Sequence, residues 1–294
     1  MEETNLRLAE NEVQVTGILT EKELNESMDK NNQPVIKGTV TIKTSDLNFV
    51  KIHVYAGKYT KDKRENPAFT GLQTVINEYK SVAEVGTEEA TRLSVRKSQL
   101  QFRTFAGRDG NIVNAMQYSS NYFNREKNDE EPKAQINFEG YIAALTNEVD
   151  KEGEETGRLK IKCYVPLYSG IETMYVVVPA ELADACESEL EVGQTAEFFA
   201  DIVSIVDIKK KTIQLTIGGT KTFTEKRIVN ELVLTGAVKY EEDDKKSYDR
   251  ELIKKGLTER ELLIEELKKQ DKEKVKISKN DKTGASGRPL PNFL

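Results

Sequence analysis

A strand opening written three times constrains this chain more than any other feature. Val13-Gln14-Val15-Thr16-Gly17-Ile18-Leu19, Ile136-Asn137-Phe138-Glu139-Gly140-Tyr141-Ile142 and Leu232-Val233-Leu234-Thr235-Gly236-Ala237-Val238 share the pattern apolar, x, apolar, x, Gly, x, apolar. Apolar and polar residues in alternation describe a strand with one buried face, and a glycine inside such a strand marks a bulge or a tight bend. A small closed sheet turns its corners this way, so the repeat predicts curved β units rather than flat ones.

The first two openings lead into the same order of elements. Strand patterns follow at 35–44 and 49–59, then an amphipathic helix over 71–82 with Leu72, Val75, Ile76 and Tyr79 at helical spacing, then strands at 92–105 and 112–122. After the strand at 136–145 come strands at 158–165 and 173–178, a helix over 180–190 led by Pro179, and strands at 195–206 and 212–217. Three strands, a helix and two strands is the order of an OB-fold, a five-stranded Greek-key barrel with its helix between strands three and four. The expected architecture is mainly β: two tandem OB-fold-like barrels, each with one helix, over 1–134 and 135–240. The third opening has too little chain after it for another barrel, so 228–240 is expected as an added strand on the second unit.

Half of residues 241–294 are charged, a composition that cannot build a core alone. Within it Thr258 and Glu261 have the spacing of a capping box, which predicts a helix over 259–269. Residues 271–294 carry Gly284, Ser286, Gly287, Pro289 and Pro291 and read as a flexible tail ending in Phe293-Leu294.

Composition removes several chemistries. With one histidine and two cysteines in 294 residues, neither a histidine-based nucleophile system nor a cysteine zinc site has its parts. Cys163 and Cys186 are expected as buried free thiols, and His53 as an exposed strand residue. Gly218-Gly219-Thr220-Lys221-Thr222 lacks the spacing of a phosphate loop, and the acidic runs sit in linkers. No catalytic residue, metal or cofactor is expected, and a magnesium-dependent nuclease is disfavoured for want of an acidic constellation. No stretch approaches the ~20 apolar residues of a membrane span, and the polar start is unlike a secretion signal, so the expected location is the cytoplasm.

What the first unit offers is cations interleaved with aromatics. Phe49, Lys51, His53 and Tyr55 share one strand parity; the loop beyond holds Lys58, Tyr59, Lys61, Lys63, Arg64 and Phe69. Arg92, Arg96, Lys97, Arg103, Phe105 and Arg108 accompany the fourth strand, and Gln117, Tyr118, Tyr122, Phe123 and Arg125 follow. Bases stacked on aromatic faces, with cations along the backbone, are the physics of single-stranded nucleic-acid binding. The net charge of −6 does not exclude this, because binding needs cations gathered on one surface rather than a positive total. The second unit is the more acidic one and is expected to serve protein contacts or dimerisation, with Tyr141, Tyr164, Tyr168 and Tyr175 as packing or interface residues.

On the glycine-bent openings, the stretch 49–64, the segment Phe102-Arg103-Thr104-Phe105-Ala106-Gly107-Arg108 and the charged tail, the chain resembles the tandem OB-fold single-stranded DNA-binding proteins of large bacteriophages of Gram-positive hosts. The resemblance covers about residues 10–240. It implies a non-catalytic protein that coats single-stranded DNA, with RNA left open, during phage or bacterial replication and recombination, located in the host cytoplasm if phage-encoded. It further implies partner proteins recruited through the C-terminal tail. Phe49, Tyr55, Tyr59, Phe105 and Tyr122 would stack on bases while Lys51, Lys58, Lys61, Lys63, Arg64, Arg103 and Arg108 neutralise phosphates. A homo-oligomer is compatible with this reading. The alternative is a structural or assembly protein whose barrels make protein contacts.

Overall fold

The computed structural model describes residues 6–107, 111–126, 130–150, 152–214, 216–242 and 244–283. In chain order the first part contains β1 (Asn11–Met28), β2 (Pro34–Lys43), β3 (Phe49–Gly57), α1 (Pro67–Glu78), α2 (Val82–Val85), β4 (Arg92–Ala106), β5 (Ile112–Ser119) and β6 (Tyr122–Arg125). The second part contains β7 (Lys133–Val149), β8 (Glu155–Leu167), β9 (Gly170–Val178), α3 (Ala180–Glu189), β10 (Thr195–Gln214), β11 (Thr220–Lys239) and α4 (Arg250–Thr283). The chain is thus mainly β, one large sheet with a C-terminal helix.

Pairing closes two rings with the same strand order. β1 pairs antiparallel with β2 and β2 with β3; β3 runs parallel to β5, β5 antiparallel to β4, and β4 returns to β1. β7, β8, β9, β11 and β10 repeat this circuit with the same senses, β10 returning to β7. The rings share a seam: β1 is antiparallel to β7, with Val13 opposite Ile136 and Val15 opposite Ala134. The two repeated openings therefore meet at their first residues, Val13 against Ile136, and run apart from there. Behind them runs one apolar cluster, with Leu19, Ile36, Ile52 and Leu93 in the first ring and Ile136, Phe138, Ile161 and Phe198 in the second.

The glycines of the openings are not equivalent. At Gly17, β1 passes from β4 to β2, and a Cβ there would sit 2.2 Å from the Lys43 carbonyl oxygen. Gly140 is tight against Cys163 Cβ at 3.1 Å, whereas a Cβ on Gly236 would meet nothing within 4 Å. The third opening is correspondingly no added strand. It is the second half of β11, whose ladder with β10 runs from Thr220 to Lys239, so the fifth strand of the second ring is β11 and not 212–217.

Other boundaries moved for local reasons. α1 begins at Pro67, because the Asn66 side chain caps it by accepting the Ala68 N–H at 3.1 Å and proline suits the first turn. α4 begins before 259, capped by Asp249, whose carboxylate accepts the N–H groups of Glu251 and Leu252 at 2.9 Å each. Thr258 lies inside it and donates its hydroxyl to the Lys254 carbonyl at 3.1 Å, so it is not the cap. The tail expected to be flexible from 271 is helical through Thr283; Phe293 and Leu294 lie outside the described residues. Cys163 and Cys186 are buried and free. Among the described residues no helix is long and apolar enough to cross a membrane.

Candidate nucleic-acid interface

β3 alternates as its sequence requires: Val50, Ile52, Val54 and Ala56 face the core, while Lys51, His53 and Tyr55 face out. Register places Lys37 of β2 opposite Tyr55 and Thr39 opposite His53, and on the other side Ser119 of β5 opposite both His53 and Gln99 of β4. These outward residues line a groove of about 820 Å³, with Tyr55, Lys37, Lys97, Arg103 and Tyr122 in its lining together with the polar residues His53, Gln99, Gln101, Gln117 and Asn121. A second hollow of about 630 Å³, lined by Phe49, Lys51, Met116, Ser204 and Asn230 among others, shares His53 and Gln117 with the first. The two adjoin at these residues, and the second reaches the β10–β11 hairpin at Ser204 and Asn230.

Two devices fix the aromatics. Asn121 brackets the Tyr55 backbone, accepting its N–H at 3.0 Å and donating to its carbonyl at 2.8 Å, and so prolongs the β3–β5 ladder beyond Ser119. Across the groove, β4 carries an extra residue against β1, and Lys97 in that bulge has φ +49°, a left-handed conformation that costs a lysine energy. The bulge sets the Lys97 ammonium 4.9 Å from the Tyr122 ring centroid. Burial, then the charges of Lys51 and Arg103, push the His53 pKa below its ordinary value. The neutral imidazole is therefore favoured in this cationic setting.

Of the residues expected from sequence, Tyr55, Arg103 and Tyr122 line the groove and Phe49 and Lys51 the adjoining hollow. Phe105 is exposed one alternation beyond Arg103, whose guanidinium lies 5.8 Å from the Phe105 ring centroid. Lys58, half-buried, and the exposed Tyr59, Lys61, Lys63 and Arg64 form a turn after β3, closed by the Thr60 N–H on the Arg64 carbonyl, and line neither hollow. Arg108 lies outside the described residues.

Several further candidates prove structural. Phe69 and Phe123 are in the core. Arg96 pairs with Glu126 at 3.2 Å, Arg125 pairs with Glu78 at 3.0 Å, and Arg92 donates to the Glu130 carbonyl at 2.7 Å. By contrast, none of Lys37, Lys51, Lys97 and Arg103 makes an ion pair among the described residues. Lys37, Gln99, Gln101 and Asn121 were missed, although their alternation on β2 and β4 could have flagged the first three. In the second ring Tyr141 is buried, Tyr164 half-buried, and Tyr168 and Tyr175 exposed.

The chain belongs to the YorF family, whose model matches residues 9–270 and so spans both rings and part of α4. No curated protein matches the sequence. Among solved structures it is similar to the wild-type single-stranded DNA binding protein from Thermus aquaticus, with TM-score 0.50 and 10% identity over 81% of this chain and 96% of that one. A deletion mutant of the same Thermus aquaticus protein gives TM-score 0.48 at 12% identity, covering 81% and 98%. At such identity the likeness is one of fold.

Proposed function

We propose that this protein binds and coats single-stranded DNA without catalysing a reaction, in phage or bacterial replication or recombination, and that each ring is an OB-fold Greek-key barrel. The observation that carries the reading is the groove on β2, β3, β5 and β4, where two exposed tyrosines stand among Lys37, Lys97 and Arg103, with Lys51 in the adjoining hollow, and none of these four cations makes an ion pair among the described residues. Tyr55 and Tyr122 offer ring faces to unpaired bases, each stacked base contributing about 1–3 kcal/mol. Lys37, Lys51, Lys97 and Arg103 face the phosphates, and the glutamines and asparagine of the lining meet base edges without demanding a sequence. A stacked duplex presents no free base faces to such tyrosines. The similar Thermus aquaticus protein is named for single-stranded DNA binding, which supports the same reading.

Fluorescence anisotropy with labelled oligo-dT, oligo-U and matched duplex at low and moderate salt tests it. Expected are tight, salt-sensitive binding of the single DNA strand and weak duplex binding, with Tyr55→Ala and Arg103→Ala each weakening oligo-dT by about tenfold. Absence of single-strand binding, with a defined oligomer in solution, would move the assignment to an assembly protein.

A further inference from the structure

A buried arginine on the C-terminal helix grips the back of the hairpin that presents Arg103 and Phe105. Arg260 of α4 is 7% exposed; its Nη2 lies 2.7 Å from Glu172 Oε1 on β9, 2.6 Å from Thr104 Oγ1 on β4 and 3.3 Å from Asn114 Oδ1 on β5. Glu172 is itself buried and also accepts from Asn114 Nδ2 at 2.6 Å and the Ser169 hydroxyl at 2.9 Å. Thr104 and Asn114 are directly opposed in the β4–β5 register, and the Thr104 hydroxyl donates to Asn114 Oδ1 at 2.9 Å. One guanidinium thus joins α4, the first ring's hairpin and the second ring's β9.

The hairpin needs such a support. β5 pairs with β3 only at Tyr118 and Ser119, so from Gln117 to Ile112 its ladder is with β4 alone. A two-stranded ribbon is marginal in water. Alternation puts Arg103 and Phe105 on the groove side and Thr104 between them on the other, where Arg260 reaches it. Nor does docking of α4 require the charge: Ile253 is buried, and Gly256 lies so close to Ile171 that a Cβ would come within 2.6 Å of its Cδ1. A buried ion pair adds little net stability over apolar packing, but its geometry is specific.

We propose that Arg260 is a positioning residue for single-strand binding: through Thr104 and Asn114 it holds the β4–β5 hairpin so that Arg103 and Phe105 stay in line with the Tyr55 and Tyr122 groove. The inference rests on the single-strand reading above. It makes the docked state of the C-terminal helix a determinant of affinity, although Arg260 touches no DNA itself.

The full chain carrying Arg260→Gln is compared with wild type by hydrogen exchange at the β4 and β5 amides and by oligo-dT anisotropy. Arg260→Met with Glu172→Gln is a second variant that leaves no lone buried charge. Both variants are expected to exchange faster over 102–106 and 112–116 and to bind oligo-dT about five- to tenfold more weakly. In an Arg103→Ala/Phe105→Ala background the further loss shrinks below about twofold, whereas in a Tyr55→Ala background it persists in full, a distinction that general destabilisation does not produce. If wild type binds oligo-dT and both variants match it, or lose equally in both backgrounds, the positioning role is overturned and the single-strand reading stands. If wild type does not bind oligo-dT, the reading fails and the inference with it.

Discussion

Lys97 holds a left-handed backbone conformation that glycine adopts freely and lysine does not. Such a residue costs on the order of 1–3 kcal/mol and persists where its surroundings over-determine it; here the return is an ammonium set over Tyr122. Lys97→Gly is expected to raise stability by about 1 kcal/mol in denaturant melts while weakening oligo-dT binding several-fold; unchanged binding would show the strain to be unrelated to the site. His53 makes a second residue-scale prediction. Its pKa lies below the ordinary value in the free protein, through burial and then the neighbouring Lys51 and Arg103, and a phosphate in the groove would raise it. Binding then takes up a proton between the free and bound pKa values, so oligo-dT affinity rises as pH falls through the histidine range near 6.5. The free protein is expected to show the opposite trend: unfolding exposes a histidine of higher pKa, so stability declines as pH drops through the same range. His53→Gln removes both dependences; an affinity that stays level with pH in wild type would sink the proposal.

Among the elements, the β10–β11 hairpin departs furthest from expectation. β10 pairs with β7 only as far as Asp201, yet its ladder with β11 continues to Gln214. At about 3.4 Å per residue the ribbon from 202 to 214 is roughly 40 Å long. Asn48, in the turn between β2 and β3, holds its base: Nδ2 donates to the Ile202 carbonyl at 2.8 Å and Oδ1 accepts the Ser204 N–H at 2.6 Å. Asn48→Ala should cost about 1–2 kcal/mol and speed exchange of the Ser204 amide while leaving the β7 amides protected; equal protection at Ser204 would mean the ribbon is held elsewhere. In the sequence the ribbon reads as two strands, 195–206 and 212–217, with the charged run Lys209-Lys210-Lys211 between them. Alternation is enforced by a core, and a ribbon paired on one side only is free of that rule.

Across the whole molecule, a buried carboxylate joins the two ends of the fold. Glu139, in the second opening, accepts from Arg7 at 2.5 Å, from the Glu10 N–H at 2.8 Å and from the Tyr240 hydroxyl at 3.0 Å, with Lys246 at 3.5 Å. Burial alone would raise its pKa, but the Arg7 and Glu10 bonds together bring it below the ordinary carboxylate value. A carboxyl with a depressed folded pKa contributes stability fully above its unfolded value and loses it as pH falls through the folded one. Stability should therefore decline in acid below about pH 4.5, with Glu139→Gln less acid-sensitive and about 3 kcal/mol less stable at neutral pH. A neutral-pH cost near zero in urea melts would show that the network is dispensable.

The order of three strands, a helix and further strands in the first ring, the outward parity of Phe49, Lys51, His53 and Tyr55, and the bend at Gly17 were legible because alternation and backbone crowding act over a few neighbouring residues. The availability of each cation was not. Arg96 and Arg125 read like Lys97 and Arg103 in the sequence, yet the first two meet Glu126 and Glu78 while the others open onto the groove. Nor could local pattern show Asn121 bracketing Tyr55, the two openings joined at a seam, or Arg260 reaching Thr104 across 156 residues. Local periodicity determined which side chains leave the sheet; pairing between distant segments decided which of them meet, because ion pairs, registers and grooves depend on neighbours that only chain closure brings together.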